Sequence, residues 1–129
     1  MTRRNRPEDA LHIAVASYLH VALPTGWVWS TVDMGGKRSK VEAALLKAKG
    51  ARKGFPDIVI FGPLRDWPDT RPVIFIELKA PGRLLTDEQQ RFKDEVTALG
   101  WSFWCCRSVD DVAFALHQAG VPLRAEVAA

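Results

Sequence analysis

Two stretches decide the fold: Gly54-Phe55-Pro56-Asp57-Ile58-Val59-Ile60-Phe61 and Val73-Ile74-Phe75-Ile76-Glu77-Leu78-Lys79. Each contains a short run of β-branched and aromatic residues, apolar on both faces of an extended chain. Such runs predict strands buried in a sheet that helices cover on both sides. The intervening Gly62 to Pro72 holds three prolines and two aspartates and predicts a loop joining the two strands. Side chains two apart on a strand share a face, so Glu77 and Lys79 point the same way. If the strands pair as a hairpin, Asp57 comes opposite Glu77. Two carboxylates and an ammonium then meet at the edge of an apolar sheet, an arrangement that is costly unless a cation joins the carboxylates. Oxygen donors select hard cations such as Mg²⁺ or Mn²⁺. A lysine beside such a site can orient a water or stabilise charge on a phosphoryl oxygen. Taken singly, Pro-Asp and Glu-x-Lys are common and read as a turn residue and a strand-end ion pair. The apolar strands and the hairpin-sized gap are what tie them together.

Outward from this centre the elements follow in order. Pro7 with the periodic Leu11, Val15 and Leu19 predicts a helix over 7–22, stopped by Pro24. Trp27 to Val32 alternates bulky and small residues and predicts a strand, and Gly35-Gly36 a turn. Ser39 followed by Glu42 is a capping-box pattern opening a short helix that Gly50 closes. After Lys79, Pro81-Gly82 turns the chain, and Thr86 with Gln89 forms a second capping box for a helix ending near Leu99. Ser102 to Arg107 predicts a strand, and Ser108 caps a final helix reaching Ala119. The expectation is α-β-α-β-β-α-β-α: an α/β fold, a central sheet flanked by helices.

The 129 residues, 47% hydrophobic and 26% charged, suit one domain over 1–129 and exclude a wholly disordered chain. Residues 1–6 are expected to form a flexible basic arm and 121–129 a flexible tail. No apolar run reaches the roughly 18 residues of a membrane span, and the arginines near the start precede no signal-like stretch. The only cysteines, Cys105 and Cys106, are adjacent and suit neither an ordinary disulfide nor a four-ligand zinc site, so a cytoplasmic setting is expected. The net charge of +3 is unevenly spread. Lys37, Arg38, Lys40, Lys47, Lys49, Arg52 and Lys53 are opposed between 37 and 53 by Glu42 alone, whereas four basic face seven acidic residues from Leu84 onward. Such asymmetry suits a basic face meeting a polyanion, though a solvated helix face reads the same way from charge alone.

Pro56-Asp57 with Glu77-Leu78-Lys79 resembles the signature of the PD-(D/E)XK nuclease superfamily. More narrowly, the chain resembles the VRR-NUC (virus-type replication-repair nuclease) domain in its small stand-alone phage and bacterial form. The resemblance runs over about residues 7–108 and rests on Glu8, Gly35-Gly36-Lys37-Arg38, Gly50, Gly54-Phe55-Pro56-Asp57-Ile58, Glu77-Leu78-Lys79-Ala80-Pro81-Gly82 and Leu85-Thr86 leading to Gln89. It implies a restriction-endonuclease-like α/β core with a central mixed sheet flanked by helices, and phosphodiester hydrolysis dependent on Mg²⁺ or Mn²⁺. By the same resemblance Asp57 and Glu77 hold the metal with the carbonyl of Leu78, Glu8 reaches the site from the first helix, and Lys79 positions the water or steadies the transition state. Gln89 matches the polar residue after the signature. Met34, where an asparagine is frequent, and His12, where a glutamine is frequent, depart from the pattern.

Each auxiliary residue has a plainer duty as well. Glu8 suits a helix N-terminus by its charge, Gln89 suits a capping box, and His12 suits a helix face better than a hard-cation site. Trp27, Trp29, Trp101 and Trp104 fall in strand regions as packing residues, whereas Trp67 lies in a polar loop where it could stack on a base. Lys37, Arg38, Lys40 and Lys53 lead into Asp57 and are expected to contact DNA phosphates; Arg91 and Lys93, on the later helix, are expected to matter less. The function expected is a metal-dependent DNA endonuclease acting on branched, Holliday-junction-like or otherwise structured DNA as a homodimer. An inert nucleic-acid-binding module, or a subunit docking onto a replication complex, is the alternative on the same fold.

Overall fold

The computed structural model describes residues 6–32 and 39–124. The elements come in the expected order: α1 (Arg6–Ala22), β1 (Val28–Thr31), α2 (Lys40–Ala48), β2 (Ile58–Phe61), β3 (Val73–Leu78), α3 (Asp87–Ala98), β4 (Ser102–Cys106) and α4 (Val109–Gln118). The sheet order is β1-β2-β3-β4, antiparallel across the first two pairs and parallel between β3 and β4. A parallel pair needs a crossover, and α3 supplies it. The β2–β3 register aligns Ile58 with Ile76, which carries Asp57 opposite Glu77.

The two sheet faces are built differently. Ile58, Ile60, Ile74, Ile76 and Leu78 project into the main core with Val15 and Leu19 of α1 and Val112 and Leu116 of α4. Asp57, Val59, Phe75 and Glu77 occupy the opposite face by strand alternation. There Phe92 of α3 packs against Phe55 at 4.9 Å, Phe75 at 5.1 Å and Phe103 at 6.1 Å between ring centroids. Thus Phe55, two residues before Asp57, anchors the approach to β2 onto α3. Gly54 makes that approach close: its φ is +85°, and a Cβ would collide with the backbone of Glu88 and Gln89.

The helix starts follow the caps read from sequence, with one difference. Thr86 and Gln89 form a complete capping box, Gln89 N–H donating to Thr86 Oγ1 at 3.2 Å and Thr86 N–H to Gln89 Oε1 at 2.9 Å. Ser39 accepts from Glu42 N–H at 3.1 Å, but the Glu42 carboxylate turns to the Ser39 hydroxyl instead of returning to its N–H. Helix α2 buries none of its residues. The Gly62–Pro72 connection includes a 3₁₀ turn at Leu64–Asp66 and a cis Trp67–Pro68 peptide. It is latched to the end of α4 by Arg71 N–H to Ala119 O at 2.8 Å and Thr70 Oγ1 to Gly120 O at 3.1 Å.

The expected loose tail from 121 is corrected in its first residues. Val121 is buried, Leu123 packs on the core, and Arg124 N–H donates to Ala22 O at 2.8 Å. Arg3 and Arg4 of the basic arm, Met34, the Gly35-Gly36 turn, Lys37 and Arg38 lie outside the described residues. Among the described residues, no helix is long and apolar enough to cross a membrane.

Candidate active site

Asp57 enters the site just before β2, and its position is fixed by backbone on both sides. Its carbonyl accepts from Val32 N–H at 2.8 Å and from the Thr31 hydroxyl at 3.0 Å. Its side-chain Oδ2 accepts from Leu78 N–H at 2.8 Å, across the open end of the hairpin. An anionic acceptor on a backbone N–H is a strong, orienting bond. Leu78 itself is buried in the main core, so its backbone is the only part of it that can serve the site.

Glu77 and Lys79 sit at the end of β3, 4% and 6% exposed. Among the described residues they are two of three buried polar side chains, the third being Thr70. Burial, then repulsion by Asp57 and a hydrogen-bonded contact with it, raise the Glu77 carboxyl from an ordinary 4.5 to about 9; the Lys79 charge pulls the other way and Glu8 adds to the rise. Without a counter-charge beyond Lys79, Glu77 therefore holds a proton at neutral pH. Its Oε2 accepts from Gln89 Nε2 at 3.2 Å, while its Oε1 is buried with no hydrogen-bond partner. An orphaned buried carboxyl oxygen is rare in a settled core and calls for a reason: a water, an ion or a catalytic role.

Gln89 joins its two readings in geometry: its Oε1 completes the capping box of α3 and its Nε2 donates to Glu77, so one amide both caps the helix and touches the candidate site. Gly54, packed on the Gln89 backbone, and Phe55, packed on Phe92, tie the Asp57 loop to the same helix turn.

The remaining residues singled out in the sequence divide clearly. Glu8 is half-buried and within electrostatic reach of Glu77. Yet among the described residues no three His, Cys, Asp or Glu side chains converge as a ready metal cage. His12 is engaged with Thr31 Oγ1 at 2.9 Å, in keeping with a helix-face role. Trp67 rests at 6.0 Å from Trp101 with the Arg71 guanidinium 5.1 Å from its ring centre, so its exposed ring already has partners. Lys40 opens α2, and Lys53 lies on the loop to Asp57; both are exposed. Arg91, expected to matter less than Lys53 for DNA affinity, lines one cleft with it.

Arg107 carried no signal in the sequence beyond ending a strand. It donates from Nη2 to Arg83 O at 2.6 Å and from Nη1 to Cys105 Sγ at 3.4 Å. Cys105 is the β4 partner of Glu77, so Arg107 ties the loop that follows Lys79 to the strand beside the site. Burial pushes the Cys106 thiol up to about 12, which leaves it inert.

A hard divalent cation fits this donor set. Asp57 and Glu77 supply two carboxylates on one sheet face, and a cation at the orphaned Oε1 would offset the burial and the repulsion by Asp57 that raise the Glu77 carboxyl. Mg²⁺ commonly takes only one or two protein carboxylates and keeps waters or phosphate oxygens for the rest. The absence of a three-residue cage is therefore consistent with it.

The sequence model of the VRR-NUC domain family matches residues 26–110, which spans β1 through the start of α4. A solved structure described as a VRR_NUC domain protein superposes with a TM-score of 0.65 at 19% identity, covering 92% of this chain and 98% of that one. The likeness extends over the whole architecture and shows a shared fold. No curated protein matches the chain.

Proposed function

The chain belongs to the VRR-NUC family of nuclease-type domains, and from that premise we propose that it is a divalent-metal-dependent DNA endonuclease selective for branched or otherwise structured DNA. The observation that carries this reading is the meeting of the half-buried Asp57 with the buried Glu77 and Lys79 at one end of the β2–β3 hairpin, where burial and Asp57 together oppose the Glu77 charge. A protein that only binds DNA gains nothing from a buried carboxylate and a half-buried one set together towards a polyanion. The inert-module reading therefore leaves the costliest feature of the fold without a purpose.

In this reading Asp57 and Glu77 hold Mg²⁺ or Mn²⁺ together with the Leu78 carbonyl and, from α1, Glu8. When bound, the cation supplies Lewis-acid stabilisation of the charge that develops on the phosphoryl oxygens. The Leu78 N–H keeps the Asp57 carboxylate in one rotamer, and Gln89 does the same for Glu77. Lys79, buried beside Glu77, orients the attacking water or donates to a non-bridging phosphoryl oxygen, where a fixed ammonium acts without reorganising. Lys40 and Lys53, with Lys37 and Arg38, contact phosphates flanking the scissile bond. A homodimer would present two such sites and suit paired cuts at a branch point in a replicating or repaired genome.

Incubating purified protein with labelled junction, flap and linear DNA, in Mg²⁺, Mn²⁺ or EDTA, tests the proposal. Metal-dependent cutting that favours branched substrates is expected. Binding without cutting in every metal would return the protein to the inert class.

A further inference from the structure

Between α2 and α3 lies an open cleft of about 990 Å³. We infer that this cleft carries the sugar–phosphate backbone of a single nucleic-acid strand running to the Asp57–Glu77 centre, an inference that rests on the nuclease reading above. Its walls are charged unevenly. Arg52 and Glu95 neutralise each other in a two-pronged ion pair, at 2.8 and 3.2 Å. That leaves Lys47, Lys53 and Arg91 against Glu88; among the described residues none of the three makes a salt bridge, though Arg91 also adds to the lowering of the Glu95 carboxyl. Three converging cations suit a chain of phosphates.

The occupant is set by shape as well as charge. The floor includes Ala43 and Ala44 of α2, short side chains that let a backbone approach closely. The volume stands at the upper end of the roughly 300–1,000 Å³ typical of small-ligand pockets. A cleft of this volume has room for part of one strand along its length. Among the described residues the lining contains no aromatic ring, so bases are not stacked there and the path does not read sequence.

The cleft also leads to the right place. Glu88 on its wall is followed by Gln89, whose amide holds Glu77. Lys53 is followed by Gly54, which packs on the backbone of Glu88 and Gln89 and leads into Asp57. The cleft wall is thus joined, one residue on at each side, to the two elements that hold Glu77 and Asp57, and in this inference the strand reaches the carboxylates from the α3 side. The substrate class this favours is DNA with a single-stranded arm abutting the cut, and it recruits Lys47 and Arg91 to the binding surface beside Lys53.

The test measures binding in EDTA by fluorescence anisotropy, with labelled single-stranded DNA, a duplex bearing a single-stranded arm, and a blunt duplex. The variants are Lys47→Gln with Arg91→Gln, Lys93→Gln on another face of α3, and Glu88→Gln. The double variant is expected to lose about tenfold in affinity for single-stranded and armed DNA. Its logarithmic salt slope should shrink by about 0.7 per lost contact, with blunt duplex affected least. Glu88→Gln should tighten binding to the same two probes. Unchanged affinity in the double variant, or an equal loss in Lys93→Gln or on blunt duplex, overturns the inference. Wild-type cleavage with Mn²⁺ is followed in parallel. Cutting that persists while the double variant binds normally removes the strand path alone. A groove-dependent strand affinity in a wild type that cuts nothing keeps the path and removes the nuclease reading.

Discussion

Replacing Glu77 by glutamine should make the metal-free protein more stable, by an amount that grows with pH. The carboxyl is raised from 4.5 to about 9 by burial and by Asp57, so at neutral pH the folded protein holds a proton that the unfolded chain has released. Taking up that proton at about pH 7 spans about 2.5 pH units, which at about 1.4 kcal/mol per unit costs roughly 3 kcal/mol. The sign follows from linkage. A group whose pKa is raised by folding contributes its full stability below about 4.5 and loses it steadily up to about 9. Glu77→Gln removes that loss. Its Oε1 can still accept from Gln89, but its new amide hydrogens need acceptors, so the net gain at neutral pH is closer to about 2 kcal/mol. Urea unfolding of wild type and variant in EDTA at about pH 5, 7 and 8 reads the difference directly. The variant's advantage should widen by about 1.4 kcal/mol per pH unit, and added Mn²⁺ should stabilise the wild type only. A constant difference across this range, or a variant less stable than wild type at about pH 8, would refute the placement of an uncompensated carboxylate at Glu77.

Three further outcomes follow from the same geometry. Lys79→Ala should reduce single-turnover cleavage by about 10²–10³ while DNA affinity stays near wild type, whereas a merely structural lysine would lower stability and leave the rate per folded molecule unchanged. Gln89→Glu keeps an acceptor for the Thr86 N–H but sets a carboxylate against Glu77, so circular dichroism should show α3 intact while Mn²⁺ affinity changes; Gln89→Ala should instead cost about 1 kcal/mol through the lost cap. Gly54→Ala should destabilise by more than about 1 kcal/mol in a thermal melt, because its positive φ and the Glu88 backbone both oppose a Cβ.

Element order, the antiparallel β2–β3 pairing and the opposition of Asp57 to Glu77 were legible because local signals agreed: apolar runs, a loop of the right composition and caps at both later helices. Less could be read of what the elements do to one another. A capping box declares itself in four residues, but that the Gln89 amide nitrogen also reaches Glu77 depends on where α3 lies over the sheet. The Leu78 N–H that clamps Asp57 has no side-chain signature at all. Nor did the charge runs show that Arg91 and Lys53, far apart in sequence, line one cleft, because that depends on how α3 lies beside the loop carrying Lys53. The tail misled for a related reason: Val121 and Leu123 look like a short apolar ending until α1 offers the Ala22 carbonyl to Arg124.

The Asp57–Glu77 centre is tested most directly by Mn²⁺-dependent single-turnover cleavage of armed DNA by wild type and Asp57→Asn, side by side. Asparagine is the informative substitution because its side-chain oxygen can still accept from the Leu78 N–H, whereas alanine would orphan that donor at a cost of about 1–3 kcal/mol. The account predicts a folded variant that binds DNA like wild type, shows no stabilisation by Mn²⁺ and cuts at least about 10²-fold more slowly. Wild-type cutting by the folded Asn variant would contradict it.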